Sequence, residues 1–377
     1  MPNLPKLSLY IHIPWCIKKC PYCDFNSYSL QERVPEEDYV RHLLNDLSND
    51  ISLVSERKIE SIFIGGGTPS LFSSKSIQLL LDGVRIGLNV SPLVEITMEV
   101  NPTSIEVSRL SGYKISGVNR ISIGVQSFNQ KSLRYLHRTY HSNEAIKAIV
   151  LTSELGLNSF NIDLMHGLPN QNKKEALKDL KVAINLKAPH ISWYQLTIEK
   201  NTLYSIILPP LPSEDDLWEI FQQGKKLLLT SGYEQYEISS YARSGSYCKH
   251  NLNYWRFGDY LGIGCGAHGK ITKLDGTIIR TEKTRHPHKF MSGCYLHKLL
   301  EVSDSDKPFE FFVNRLRLFE PIPKSEYRNH TGLLENGIRS SLEIWIKSGY
   351  LIETDNFWQV TQKGRLFLNT MLETLLF

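Results

Sequence analysis

Apolar positions in the N-terminal half of the chain alternate between two rhythms. Short β-rich runs recur at residues 8–13, 61–64, 94–100, 120–125, 159–164 and 190–197. Between them, at 37–54, 75–86, 143–155 and 173–186, apolar residues return at the 3.6-residue spacing that gives a helix one apolar stripe. Strands alternating with helices predict a parallel sheet joined by right-handed crossovers. By this pattern alone, an open (β/α)6 partial barrel and a doubly wound sheet fit equally well.

The residues at the end of each strand separate the two. The first run leads into Cys16, Cys20 and Cys23, spaced C-x3-C-x2-C. The second ends in Gly65-Gly66-Gly67-Thr68-Pro69, and the third carries Glu99 before Asn101-Pro102. The fourth runs into Gln126-Ser127, and the fifth carries Asp163 before His166-Gly167. Polar or glycine-rich chemistry at the C-terminal end of every strand is the arrangement of a barrel-type active site. The expectation is therefore an α/β partial barrel over residues 1–236.

Beyond it, residues 201–235 read as a connector broken by Pro209-Pro210 and Pro212, with a helix over 213–229 capped by Ser213. Residues 237–300 are expected as a connecting segment, dense in Tyr, Gly and His up to about residue 270. Residues 301–377 change rhythm and read as a small C-terminal domain. Helices are expected at 309–318 and 340–348, then a hairpin of 351–353 and 357–360 around Asp355-Asn356, then a last helix after Gly364. Helices with a terminal hairpin look like a winged helix. The segment is not basic, so a lid packed on the barrel is expected rather than a DNA reader.

Composition narrows the function classes. With 41% hydrophobic and 22% charged residues the chain has an ordinary globular profile. A net charge of +4 makes no case for nucleic acid as a partner. No apolar run approaches the ~20 residues of a membrane-spanning helix. The N-terminus enters the first strand directly, which leads us to expect a cytoplasmic protein without a targeting peptide. Six cysteines are too sparse for a disulfide framework.

Three thiolates on one short loop can hold three irons of a 4Fe–4S cluster and leave the fourth iron without a protein ligand. Radical chemistry on S-adenosylmethionine (SAM) needs such an open iron, because the amino and carboxylate groups of SAM chelate it. Structural zinc instead wants four ligands, usually in two paired-cysteine arms. The cysteine spacing, Gly65–Pro69 and the strand-end series together resemble the radical SAM superfamily over residues 7–240.

By residue type, Arg138 can clamp a carboxylate in bidentate fashion. Glu99 and Asp163 can accept hydrogen bonds from ribose hydroxyls or an amino group, and Gln126 can donate and accept. Gly66 and Gly67 let backbone approach a ligand, and Thr68 adds a hydroxyl. Tyr10 and Tyr22 are placed to line the cluster and the adenosine. The resemblance implies that these residues bind SAM.

A second block reads His250-Asn251-Leu252-Asn253-Tyr254-Trp255, followed by Asp259 to Gly269. It resembles the H-N-x-x-Y-W motif of the HemW-type heme chaperones, long grouped with the oxygen-independent coproporphyrinogen III oxidase. The resemblance then spans essentially the whole chain and implies heme binding and transfer to an acceptor apoprotein. The oxidase carries a fourth cysteine where this chain has Phe25, and a long extension before its cluster. Both features favour the chaperone over the oxidase, or over a radical SAM enzyme on an unrelated substrate. His250 is the first candidate for a heme ligand, with His166 and His268 behind it. The competing reading has His250 and Asn251 holding the loop by hydrogen bonds.

Overall fold

The computed structural model describes residues 4–31, 33–54 and 56–376. Six strands form its centre: β1 (Leu7–Ile13), β2 (Ile59–Gly66), β3 (Val90–Val100), β4 (Arg120–Gln126), β5 (Ser159–His166) and β6 (His190–Gln195). They pair in chain order, every pair parallel. Helices Glu36–Val54, Ser74–Gly87, Ser142–Glu154 and Lys173–Asn185 cross between them at the places the periodicity marks. Their starts are built locally. The Ser73 hydroxyl accepts from the Ser76 amide, and Asn172 and Glu175 form a reciprocal capping box.

Residues 237–300 do more than connect. Ser240–Ala242 pairs antiparallel to β6, and the two-residue strand Glu234–Gln235 lies beyond it at that edge. At the other edge Asp259–Ile263 pairs parallel to β1. Strands His268–Thr272, Ile278–Lys283 and Leu296–Glu301 then continue antiparallel. Among the described residues the result is a mixed sheet of 12 strands that does not close into a barrel.

The period-2 alternation of a strand divides this sheet into two chemistries. Leu7, Leu9, Ile11 and Ile13 of β1 face the helices and belong to the main apolar core, as do Ile96, Met98 and Val100 of β3. The alternate residues face inward and bond to one another. The Ser8 and Ser61 hydroxyls share a 2.7 Å bond, and Asn161 Nδ2 donates to Ser122 Oγ at 2.8 Å. His190 Nδ1 lies 2.6 Å from Asn161 Oδ1. A polar concave face on an apolar shell is what positions the site.

Helix Lys249–Trp255 packs against that concave face toward the N-terminal ends of the strands. His250 Nδ1 bonds the Ser61 hydroxyl at 3.0 Å, and the His250 amide donates to Glu95 Oε1 at 3.3 Å. The helix floors the bowl and leaves the C-terminal strand ends open.

The C-terminal segment has its own core around Phe311, Phe312, Trp345 and Trp358. Helices Lys307–Arg315, Lys324–Thr331 and Arg339–Lys347 pack with a three-stranded sheet of Ile322–Pro323, Leu351–Glu353 and Phe357–Val360. The hairpin falls on the expected residues. The last helical stretch begins at Gln362, earlier than expected, because the Thr361 hydroxyl caps it by accepting from the Gly364 amide. Phe257 and Ile278 join this core and tie the small domain to the sheet.

Candidate functional site

The cysteine loop is pinned to the glycine-rich turn by backbone. The Gly67 amide donates to Ile13 O at 2.7 Å, and the Thr68 amide donates to Trp15 O at 2.7 Å. A Cβ on Gly67 would lie 2.4 Å from Trp15 O, so only glycine lets the two segments meet. Gly66 has φ of +115° and a Cβ there would strike the His12 ring. The glycines thus serve the chain's own packing as well as exposing backbone to the cavity above.

That cavity, of ≈480 Å3, lies at the C-terminal ends of the strands. It is lined by Cys16, Cys20 and Cys23 and by Glu99, Gln126, Arg138 and Asp163. Tyr22, Gly66, Gly67 and Thr68 line it too, so every expected cluster and SAM residue except Tyr10 meets there. Burial pushes the Cys16 thiol up to about 11, and the neighbouring Cys23 and Cys20 add to it. Three mutually repelling thiolates suit a cationic iron core. Among the described residues no three His, Cys, Asp or Glu converge as a single-ion site. A cubane sets its irons at separate corners, so its thiolates need not converge. The residues present fit the cluster in that three thiols of one short loop line one cavity.

Arg138 reaches the cysteine loop. Its Nη2 donates to the Tyr22 hydroxyl at 2.8 Å and its Nη1 to Asn101 Oδ1 at 3.2 Å. Asn101 in turn donates to Thr68 Oγ1 at 3.2 Å. The Arg138 Nε is buried without a partner, and among the described residues no carboxylate lies in ion-pair range. A guanidinium held by neutral groups at a cavity wall is built to receive an anion.

Two carboxyls line the same cavity. Glu99 accepts from the Gly66 amide at 3.0 Å. Burial first, and then the Asp163 charge, push Glu99 up to about 8 against that bond. Asp163 accepts from Asn161 at 2.7 Å and from Ser122 at 3.0 Å, and burial raises it as well. Gln126 takes a φ of 63°, rare for a side-chain-bearing residue, and its Oε1 accepts from the Tyr194 hydroxyl at 2.8 Å. Such a held conformation is characteristic of ligand sites.

Tyr10 lines an adjoining cavity of ≈430 Å3, with its hydroxyl 3.0 Å from His12 Nδ1. His250 lines neither cavity. It is 1% exposed on the floor helix, and burial pushes its imidazole down to about 3. Its motif partners differ: Tyr254 lines the second cavity and Trp255 lines both. His166 is buried against Trp193, ring centroids 4.2 Å apart. Residue-by-residue reading missed Asn101, Tyr140 and Tyr194, which also line the first cavity. The signal for Asn101 was its place directly after β3.

The radical SAM superfamily pattern matches residues 10–183, and the HemN C-terminal domain pattern matches residues 302–367. The chain is 58% identical over 376 residues to the heme chaperone HemW of Escherichia coli K12, covering 100% of each. It belongs to the HemW family of radical SAM proteins. The Bacillus subtilis member is 31% identical over 381 residues, covering 98% of this chain and 99% of that one. The solved structure of coproporphyrinogen III oxidase (HemN) from E. coli superposes with a TM-score of 0.84 at 23% identity, covering 99% of this chain and 90% of that one. At that identity the likeness speaks for the fold alone, including the open sheet and the small terminal domain. Among the described residues, no helix is long and apolar enough to cross a membrane.

Proposed function

We propose that this protein is a cytoplasmic heme chaperone that binds heme and passes it to an acceptor apoprotein. In this reading it carries a 4Fe–4S cluster on Cys16, Cys20 and Cys23, with SAM in the adjoining cavity. The observation that carries the reading is full-length identity of 58% to a protein named as a heme chaperone. Phe25 supports it against the oxidase reading. This ring is 57% exposed and lines both cavities where the oxidase has a fourth thiol.

When bound, the cluster supplies an iron with an open position that an amino-acid chelate fills. Around it, Arg138 takes the carboxylate of SAM while Tyr22 and Asn101 fix its guanidinium. Glu99 and Asp163 would accept hydrogen bonds from the amino N–H groups or the ribose hydroxyls, and Gln126, held by Tyr194, offers both a donor and an acceptor.

Heme titration of purified protein, with and without reconstituted cluster, tests the proposal by visible absorption. A saturable Soret band that moves to an added apo heme protein is expected, as is no decarboxylated product from coproporphyrinogen III under anaerobic conditions. A protein that binds no heme but converts coproporphyrinogen III overturns it.

A further inference from the structure

The second cavity belongs to a different part of the fold from the cysteine cavity. Phe25, Gly66, Glu99 and Trp255 line both, so the two chambers adjoin. Its remaining walls come from β1, from the end of the floor helix and from the strands that extend the sheet beyond β1. Tyr10, Tyr254, Phe257 and Tyr260 are their aromatic members, set among His12, Asn26, Lys270, Arg280 and Asn314. Tyr254 and Tyr260 meet edge to face, ring centroids 4.4 Å apart. Aromatic rings set beside cationic and amide side chains in a ≈430 Å3 space suit a flat aromatic ligand that carries anionic groups.

The histidines around it are not equivalent. His12 lines the cavity, but both its ring nitrogens are engaged, one at 3.0 Å from the Tyr10 hydroxyl and the other at 2.9 Å from Asn26 O. His250 is sealed behind Tyr254, whose ring stands edge-on to it at 4.7 Å. His268 lines the cavity and is exposed, and its ring has no hydrogen-bond partner among the described residues. It opens strand His268–Thr272, opposite Glu282. Partial burial, with Arg285 and Arg280 nearby, holds its imidazole below the usual range against the pull of Glu282.

The cations differ in the same way. Lys270 is sealed against Asp259 at 2.8 Å, and Arg280 is paired with Glu310. Arg285 is exposed at the rim, with no carboxylate partner among the described residues.

We propose that this second cavity holds the heme, with His268 as an axial ligand and Arg285 facing a propionate. The inference rests on the heme-binding reading above and assigns its site to residues outside the H-N-x-x-Y-W block. The aromatic end of that block, Tyr254 and Trp255, then walls the porphyrin while its histidine anchors the floor helix.

The test is hemin titration of the full-length protein read by the Soret band. His268→Ala is expected to shift the band and weaken binding, and added imidazole to restore the wild-type position, a rescue that a merely structural role does not give. His250→Gln, which keeps a partner for Ser61, is expected to leave the band where it is. Arg285→Ala is expected to weaken hemin roughly two- to fivefold, the worth of an exposed ion pair, and to leave hemin dimethyl ester unaffected. A His268→Ala protein that binds hemin with wild-type position and affinity overturns the ligand assignment. An Arg285→Ala protein with unchanged hemin affinity overturns the propionate contact. If the wild-type protein itself binds no hemin, the function reading falls and takes this inference with it.

Discussion

Replacing Arg138 by alanine isolates the step on which the SAM assignment depends. The guanidinium makes two hydrogen bonds, both to neutral groups, and leaves Nε buried without a partner. A carboxylate arriving there gains a charge-assisted bond of about 1.5–3 kcal/mol, which corresponds to about ten- to a hundredfold in affinity. Equilibrium dialysis of SAM against folded, cluster-loaded protein measures it. Two controls separate binding from scaffolding. Tyr22→Phe removes the phenol that Arg138 holds, so if the arginine merely pins the cysteine loop this variant loses as much affinity as Arg138→Ala. Decarboxylated SAM removes the other partner, so the Arg138→Ala penalty should vanish with that ligand, as a two-way cycle requires. Unchanged SAM affinity in Arg138→Ala, or an equal penalty with the decarboxylated ligand, refutes the clamp.

Further predictions concern the loop and the carboxyls. Alanine at Cys16, Cys20 or Cys23 should each abolish an intact 4Fe–4S centre after anaerobic reconstitution, read by absorption and spin resonance. Alanine at Cys248, Cys265 or Cys294 should not; a full, SAM-responsive cluster in Cys16→Ala would contradict the ligand set. Gly67→Ala should displace the cysteine loop, because its methyl would sit 2.4 Å from Trp15 O, and should lower cluster content while far-ultraviolet circular dichroism stays near wild type. Glu99 titrates near 8 when folded against 4.5 as its ordinary value, so the folded chain holds the extra proton between those limits. Its contribution to stability is therefore complete below pH 4.5 and is lost as pH rises through about 8. Urea midpoints across that window should fall less steeply for Glu99→Gln than for wild type, and parallel curves would show that Glu99 ionises normally.

Much of the architecture is legible along the chain because strand alternation is strong where both faces are covered. In β1 the apolar set Leu7, Leu9, Ile11 and Ile13 and the polar set Ser8, Tyr10 and His12 mark the two faces directly. The outermost of the extending strands is illegible for the converse reason. Leu296–Glu301 is exposed along its whole length, so no buried face imprints a period on it. The Asp259–Ile263 strand is recruited by pairing with β1, roughly 250 residues away in sequence. The site shows the same division. Glu95 and Glu99 lie on one strand, on one face, four residues apart, and nothing local tells them apart. Glu95 ends under the floor helix, taking the His250 amide, whereas Glu99 ends above it, holding the Gly66 amide at the cavity wall. What decides between them is the position of a seven-residue helix, Lys249–Trp255, about 150 residues later. The same helix misleads in the opposite sense. Its histidine looks like a ligand in the sequence, yet His250 and Tyr254, four residues apart, share one helix face. That face packs His250 against Ser61 on the floor, and along it the ring that reaches open space is the one a turn later, Tyr254. A ligand-type residue becomes a ligand only where the fold leaves its atoms both unspent and reachable: His250 Nε2 also lacks a partner but lines neither cavity, whereas His268, with no bond engaging its ring among the described residues, lines the second.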